Sequence, residues 1–525
     1  MFTAAQRNRI QRAIVPITPG LIPGGPYPSP SNVQGDVYTV FSKAAEDFIF
    51  FKISDKARFK QWLKNFKPTT SSDVADNINK VANRVPGTRV TIAQFQIAFS
   101  RAGMNFLGET GDVGDFHFDK GPQVLDKRLM DDQGEWDQVF WNADKSINNP
   151  LHCVLLIAAD SVETRDANRQ TKLEELAGIV ETPTVVSGKD RPGDFKGHEH
   201  FGYKDGISQP ALIGLTAGPN TPEIQKRDAG VIVMGYKGDP MLGKRPAWTK
   251  DGTLMVFRKL EQSVPEFEKY KRESGKKWRE FIPEEYKKNT TLTDEEGAAL
   301  FGAQIFGRWA SGLPLQNFPI RDNKELAKTI TKPELNNFDF SVNNDYSAPT
   351  DLRCPFFSHI RKTAPRQLEP YVQRKFLDST SIIRAGIPYG PEATSKELAD
   401  GKSDDNPRRK RGLLFNCYQS SIANGFMCQT RFGGNDYFPF SSASLQKHGQ
   451  DPIIGSPPRE IDIKDNHEKL LLVKSLDQKE QIVIRPLNFK PDTATDPRQP
   501  FFVTSRGGEY FFVPSVSELQ RLANL

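Results

Sequence analysis

The sequence predicts an α+β fold of two halves, each an antiparallel sheet with helices packed on one side. Three observations predict it. At 525 residues the chain exceeds the usual size of one hydrophobic core, so two compact units are expected. With 37% hydrophobic and 26% charged residues and a mean hydropathy of -0.56 it reads as globular and soluble, and no apolar run approaches the ~18 residues that a membrane span needs. A strand-then-helix pattern also occurs twice along the chain.

The first twenty residues lack the apolar core of a signal peptide, so either the protein stays inside the cell or a leader has been removed. "PITPGLIPGGPYPSP" then reads as an extended Pro/Gly tail, residues 1–30, with folded sequence beginning near Asn32. "EDFIFFKIS" (46–54) is rich in Phe and Ile, as a strand should be, and "DKARFKQWLKNF" (55–66) has apolar residues at helical spacing. "TIAQFQIAFSRAGMNFLG" (91–108) continues as strand or helix. "LHCVLLIAAD" (151–160) is a buried strand leading into the polar-faced helix "SVETRDANRQTKLEELAGIV".

The pattern restarts with "GVIVMG" (230–235) and "GTLMVFRKL" (252–260), read as strands, before the helical "EQSVPEFEKYKRES". "GLLFNCYQSS" (412–421) precedes a helix from about 420, and "KLLLV" (469–473) reads as a further strand. "PFFVTSRGGEYFFVPS" reads as a closing hairpin whose turn is Arg-Gly-Gly. The units are therefore placed at 31–225 and 226–525.

A net charge of +6 on this length is too weak a bias to argue for nucleic acid. The basic "NPRRKRG" (406–412), beside "GKSDD", reads as a solvated loop without the aromatic interleaving of a nucleic-acid module. Cys153, Cys354, Cys417 and Cys428 show no metal-ligand spacing and read as reduced and mostly buried.

Three segments carry chemistry. In "HEHFGYKDGISQP" (198–210), Asp205 stands between Gly202 and Gly206, which on its own describes a turn. In "RCPFFSHIRKTAPRQ" (353–367), His359 is either a hydrogen-bonded core histidine or an iron ligand. Phe356 and Phe357 before it suit an apolar macrocycle, and Arg361, Lys362 and Arg366 after it suit that macrocycle's anionic propionates. "SIIRAGIPYG" (381–390) runs an apolar strand into Arg384, followed by small residues that leave room above the guanidinium. Such a group holds a small anion or peroxide, or else forms an ordinary buried ion pair.

Together these segments resemble the dye-decolorizing peroxidase family, and its fungal members in particular. "SNVQGDV" (31–37) is similar to the family's opening, "GYKDGISQP" fits its GxxDG motif, "HIRKTAPR" its haem-ligand segment and "IIRAGIPYG" its distal-arginine segment, all in family order. The resemblance implies two ferredoxin-like halves of the dimeric α+β barrel type, with haem b in the second. It implies a peroxidase that reduces hydrogen peroxide and oxidises aromatic donors such as dyes and phenols by one-electron steps through a high-valent iron-oxo intermediate. Asp205 then answers to the distal acid that shuttles a proton, Arg384 to the distal arginine that stabilises the departing oxygen, and His359 to the axial ligand. "GQDPIIG" (449–455) resembles a family segment that supplies a carboxylate to that histidine, here Asp451. Arg361 is a further haem-binding candidate, whereas His198 and His200 take no assigned role.

One departure concerns the route of electrons. Several fungal relatives carry a surface Trp after "CYQSS", where this chain reads "NGFMCQTRFGGNDYFPF" with Arg431 and Phe432 and no Trp. Tyr389, then Tyr418 and Tyr437, are the relay candidates, each equally readable as packing. The alternative function is a haem-binding or haem-handling protein whose peroxide turnover is incidental, against which stands the presence of both Asp205 and Arg384. No nucleic-acid or membrane partner is expected, the protein being a monomer or homodimer. By resemblance it is extracellular, with the cytoplasm as the alternative.

Overall fold

The computed structural model describes residues 25–122, 136–140, 151–341, 353–369, 372–433, 451–455, 471–474, 481–484 and 502–525. Most of the predicted tail, and Tyr437, lie outside these residues. In chain order the main strands are β1 (Ala45–Phe51), β2 (Ala93–Phe99), β3 (Cys153–Ala159), β4 (Thr184–Lys189), β5 (Thr253–Gln262), β6 (Ile383–Arg384), β7 (Ile387–Tyr389), β8 (Gly412–Gln419) and β9 (Val503–Val513). The helices that matter below are α1 (Lys56–Asn65), α2 (Val162–Leu176), α3 (Val264–Gly275), α4 (Asp294–Phe306), α5 (His359–Thr363), α6 (Phe426–Gly433) and α7 (Val516–Asn524).

The strands form one nine-stranded antiparallel sheet in the order β4-β1-β3-β2-β9-β5-β8-β6, with β7 also on β8. β9, from the C-terminal end, bridges the two sets of strands: it runs along β5 and touches β2 at Phe512 and Phe99. Both faces of the sheet are covered, which is why β1 and β3 read as continuous apolar runs rather than alternating ones. Ile49 and Phe51 pack with Phe59 and Leu63 of α1, while Phe48 and Phe50 point the other way into a second cluster with Leu156, Phe257, Tyr418 and Phe511. The Phe257 ring lies 4.7 Å from that of Phe48 and 4.9 Å from that of Phe50, so this second cluster joins the strands of both halves. Burying one such side chain contributes about 1.5–3 kcal/mol.

Helix boundaries follow local chemistry. Asp55 and Ser161 cap α1 and α2 by accepting the Arg58 and Thr164 N–H groups, and Thr293 with Glu296 forms a capping box on α4. α4 ends at Gly307, which has φ of 81°, and any Cβ there would collide with Ile360. That absence of a side chain lets α5, the helix that begins at His359, seat against the end of α4.

Two local readings of the sequence are corrected. "GVIVMG" is a 3-10 turn over Ala229–Val231 and a further turn, closed by Gly230 N–H to the Lys237 carbonyl. Its apolar residues are buried in the second cluster, and a short apolar run does not by itself separate a buried turn from a strand. "PFFVTSRGGEYFFVPS" holds one strand, β9, rather than a hairpin. Its register on β5 shifts between Ser505 and Gly508, with Gly507 at φ of 107°, so Arg-Gly-Gly supplies a bulge where a turn was expected. All four cysteines are free, three of them buried. Among the described residues no helix is long and apolar enough to cross a membrane.

Candidate active site

Asp205 sits on a turn organised by a buried carboxylate. Glu199 Oε2 accepts the Phe201 N–H and Oε1 the Tyr203 N–H, each at 2.8 Å, and the Gln262 amide donates to Oε2 at 2.5 Å. Burial dominates at Glu199 and pushes its carboxyl up to about 7 in spite of these donors. The Tyr203 ring stacks on Phe306 of α4 at 3.8 Å, and Asp205 N–H donates to the Gly197 carbonyl at 3.1 Å. The turn therefore presents Asp205 from a fixed backbone.

Gln209 carries the same segment to Arg384. Its side-chain oxygen accepts the Arg384 N–H at 3.0 Å and its amide donates to the Arg384 carbonyl at 2.5 Å, as a strand neighbour would. The Arg384 guanidinium then donates through Nη1 to Asp205 Oδ1, which also accepts the Gly206 N–H at 2.6 Å. Among the described residues Oδ2 makes no hydrogen bond. Burial alone would raise the Asp205 carboxyl, but the charge of Arg384 and the Gly206 N–H outweigh it and hold the group below the ordinary carboxylate range. His359 acts in the same direction when charged, so it lies within electrostatic reach of Asp205.

His359 opens α5, and its Nδ1 lies 2.6 Å from Asp451 Oδ2. Because a carboxylate only accepts, Nδ1 carries the hydrogen and Nε2 faces outward. Asp451 is fully buried and is itself held by the Ile453 N–H at 2.7 Å on Oδ1. The side chains of Asp205, Arg384 and His359 are 28%, 27% and 26% exposed, whereas Phe357, Ile383 and Ala385 beside them are at 3% or less. All three thus open onto accessible space from buried stretches.

Arg361, unlike these three, is 1% exposed. Its guanidinium is buried between the rings of Phe356 (4.3 Å) and Phe340 (4.9 Å) and donates to the Cys354 carbonyl. Two further arginines, Arg308 and Arg366, share this setting. Arg308 donates to the Gly312 and Leu335 carbonyls, Ser208 and Asn336, and Arg366 to the Asn336 and Phe338 carbonyls. Among the described residues each leaves a buried Nε without a hydrogen bond. Burial drives both guanidiniums below their usual range, Arg366 to about 9, and each lowers further by proximity to another arginine. Two cations, Arg308 buried and Arg366 partly buried, whose hydrogen bonds go to neutral groups fit the anionic edge of a bound cofactor.

His198 is half-buried with Nδ1 3.2 Å from the Lys196 carbonyl. His200 is buried, its Nε2 2.9 Å from the Tyr389 carbonyl, and burial followed by the charge of Arg191 pushes it down to about 4. Both therefore tie the loop to its surroundings. Glu199, Gln209 and Arg308 escaped the sequence reading. Gln209 lies inside the quoted GxxDG segment and Glu199 inside "HEH", but nothing local marks Arg308 in "FGRWASG".

Comparison with known proteins agrees with this arrangement. A family model described as the DyP dimeric alpha+beta barrel domain matches residues 32–192. The dye-decolorizing peroxidase msp1 of Mycetinis scorodonius is 35% identical over 509 residues, covering 94% of this chain and 88% of that protein. The chain belongs to the dye-decolorizing peroxidase family. The dye-decolorizing peroxidase of Auricularia auricula-judae is 32% identical, with 93% of this chain and 86% of that one covered. Among solved structures, an ancestral D-type dye decolorizing peroxidase superposes with a TM-score of 0.78 at 36% identity, covering 94% of this chain and 99% of that one. A dye-decolorizing peroxidase in complex with 2,6-dimethoxyphenol gives 0.75 at 33% identity and the same coverage. Dye-decolorizing peroxidases are haem enzymes, and this chain is a peroxidase with the α+β barrel architecture of that family.

Proposed function

We propose that the chain binds haem b between His359 and the Asp205–Arg384 pair, reduces hydrogen peroxide there, and oxidises dyes and phenols. In this reading residues 31–225 contribute Asp205 and residues 226–525 hold the haem. The observation that carries it is the pair itself together with the histidine: a carboxylate with one oxygen fixed by Arg384 and the other making no hydrogen bond among the described residues, and a His359 whose Nδ1 is occupied by Asp451.

Bound haem would supply the iron that takes up peroxide and the two oxidising equivalents that follow. His359 would hold it through Nε2, with Asp451 fixing the ring's tautomer and raising its basicity. Arg308 and Arg366 would supply positive charge for the propionates, and Arg361 supports the ligand helix by packing between Phe340 and Phe356. Asp205 works through Oδ2, which makes no hydrogen bond among the described residues and takes the proton of peroxide and returns it to the leaving oxygen. Arg384 holds Oδ1, keeps the carboxyl ionised, and places a permanent positive charge where negative charge develops. The solved relative in complex with 2,6-dimethoxyphenol supports small phenols as donors here.

Absorption spectroscopy tests this reading. The haem-loaded protein is expected to show a Soret band that changes on one equivalent of peroxide, and His359→Ala is expected to lose stable haem. An unchanged ferric Soret band in His359→Ala would remove His359 as the ligand.

A further inference from the structure

β6 carries Arg384 on little regular pairing. It is two residues long, lies at the end of the strand order, and pairs with β8 only at Ile383 and Arg384. Pairing resumes at Ile387 in β7, so Ala385 and Gly386 lie in a gap between the two strands. Side chains from far along the chain hold this stretch instead. Gln209 takes the Arg384 N–H and carbonyl. Ala385 N–H donates to the Asn416 carbonyl at 2.8 Å, and the Ala385 carbonyl accepts from the Lys43 ammonium at 2.6 Å.

Lys43 makes that bond from a fixed base. It stands just before β1, next to Ala44, whose N–H donates to the Ala159 carbonyl at 2.7 Å and whose carbonyl accepts the Asp190 N–H at 2.8 Å. Its side chain is 8% exposed, and its ammonium also donates at 2.6 Å to Oε2 of Glu46, which is fully buried. A hydrogen bond from a charged donor is roughly twice as strong as one between neutral groups, so the Ala385 carbonyl is held more firmly than an ordinary ladder bond would hold it. Ile383 and Ala385 face the second cluster. Arg384, between them, faces the other way, and Lys43 therefore acts on it through the backbone.

We propose that Lys43 is a positioning residue for Arg384: through the Ala385 carbonyl it fixes the strand that aims the guanidinium at Asp205, and Glu46 holds the ammonium in place. The inference rests on the peroxidase reading, which gives Arg384 its task. Lys43 and Gln209 both come from the part of the chain that supplies Asp205. The two side chains that clamp the Arg384 backbone thus tie it to the same part of the fold as its carboxylate partner. That tie is what sets the guanidinium relative to Asp205 Oδ1. A misplacement of about 1 Å at a reacting centre costs up to roughly 10²-fold in rate, so a bond one residue away from Arg384 has leverage on the reaction without touching the reacting atoms.

The test uses Lys43→Met/Glu46→Gln, because neutralising both partners leaves neither as an unpaired buried charge. In haem-loaded protein the rate of reaction with peroxide, followed by stopped-flow absorption, is expected to fall roughly 10-fold or more. In an Arg384→Leu background the same two substitutions are expected to change the rate by no more than roughly 2-fold, since the residue they position is gone. Losses that multiply in the combined variant overturn the proposal, because a merely structural effect is indifferent to Arg384, and so does a parental rate in Lys43→Met/Glu46→Gln. Hydrogen exchange read by mass spectrometry adds a measurement independent of activity. Peptides covering 381–389 are expected to exchange faster in Lys43→Met/Glu46→Gln while those covering β3 keep the parental rate, and equal acceleration of both overturns the proposal. Should the variant not fold, the unsubstituted protein decides. There 381–389 is expected to exchange as slowly as β8 despite its place at the sheet edge, and exchange as fast as that of the exposed residues 404–409 overturns the clamp. A parent Soret band indifferent to peroxide overturns the peroxidase reading, whereas a normal Soret response with multiplying losses overturns this inference alone.

Discussion

Asp205 and His359 belong to segments that are held in different ways. The Asp205 turn is fixed through its backbone: Glu199 takes two of its N–H groups, and Gln209 joins its far end to the Arg384 strand. Its functional carboxylate keeps one oxygen without a hydrogen bond among the described residues. His359 is fixed through its side chain by a single buried carboxylate on Nδ1, itself positioned by the Ile453 N–H. A group that must gain and lose a proton needs a rigid mount and an uncommitted atom. A ligand needs one nitrogen committed so that the other is available.

The largest effect expected from breaking this contrast is at Asp205. Asp205→Asn keeps the turn and the size of the side chain but removes the base, so the rate of reaction with peroxide should fall by roughly 10²-fold or more while haem is retained. Stopped-flow mixing of the variant with peroxide measures it, and parental rates would make Asp205 a turn residue only. The pH profile sharpens the point. Because the Asp205 carboxyl is held below its ordinary value, the base persists into acid and is lost only as pH falls through that depressed value.

Asp451→Asn breaks the other side. The amide keeps the shape yet loses the negative charge that favours Nδ1–H, so haem affinity should drop by roughly 10–100-fold, the usual cost of removing such a partner. Haem titration of the apoprotein reads this directly. Equal affinity in parent and variant would assign the 2.6 Å contact to packing alone.

The unequal legibility of the two sides has a physical origin. Asp205, His359 and Arg384 each lie in a short segment with a recognisable pattern, and Asp451 lies in a fourth, so the sequence marks them although they are far apart along the chain. Glu199 reads as an ordinary loop acid because its partners are backbone N–H groups, which any sequence supplies. Arg308 acquires its meaning only where the fold buries it beside Arg366, 58 residues away by the numbering. The strands were legible because burial on both faces writes long apolar runs, as in β3. The same signal misreads Ala229–Val231, where burial covers a turn, and the Arg-Gly-Gly of β9 shows that two glycines mark irregularity without specifying a bulge or a reversal.

The smallest expected effect concerns stability, and it separates the two mounts by pH. The unfolded chain releases the Glu199 proton near 4.5, whereas burial holds it to about 7 in the fold. Between those values the unfolded state binds fewer protons, so raising pH favours unfolding. The fold is strongest, by this group, below 4.5, and loses this contribution as pH rises through about 7. Glu46 and Asp119, pushed up to about 8 and about 7 chiefly by burial, act with the same sign. Urea melts of the parent should therefore weaken from pH 5 to 8. Glu199→Gln removes one titrating group while an amide oxygen still accepts one of the two N–H groups, so its melts should show a shallower slope over the same range. An identical slope in parent and variant would mean that Glu199 stays ionised throughout, with its three donors outweighing burial, and that the Asp205 mount carries no pH dependence of its own.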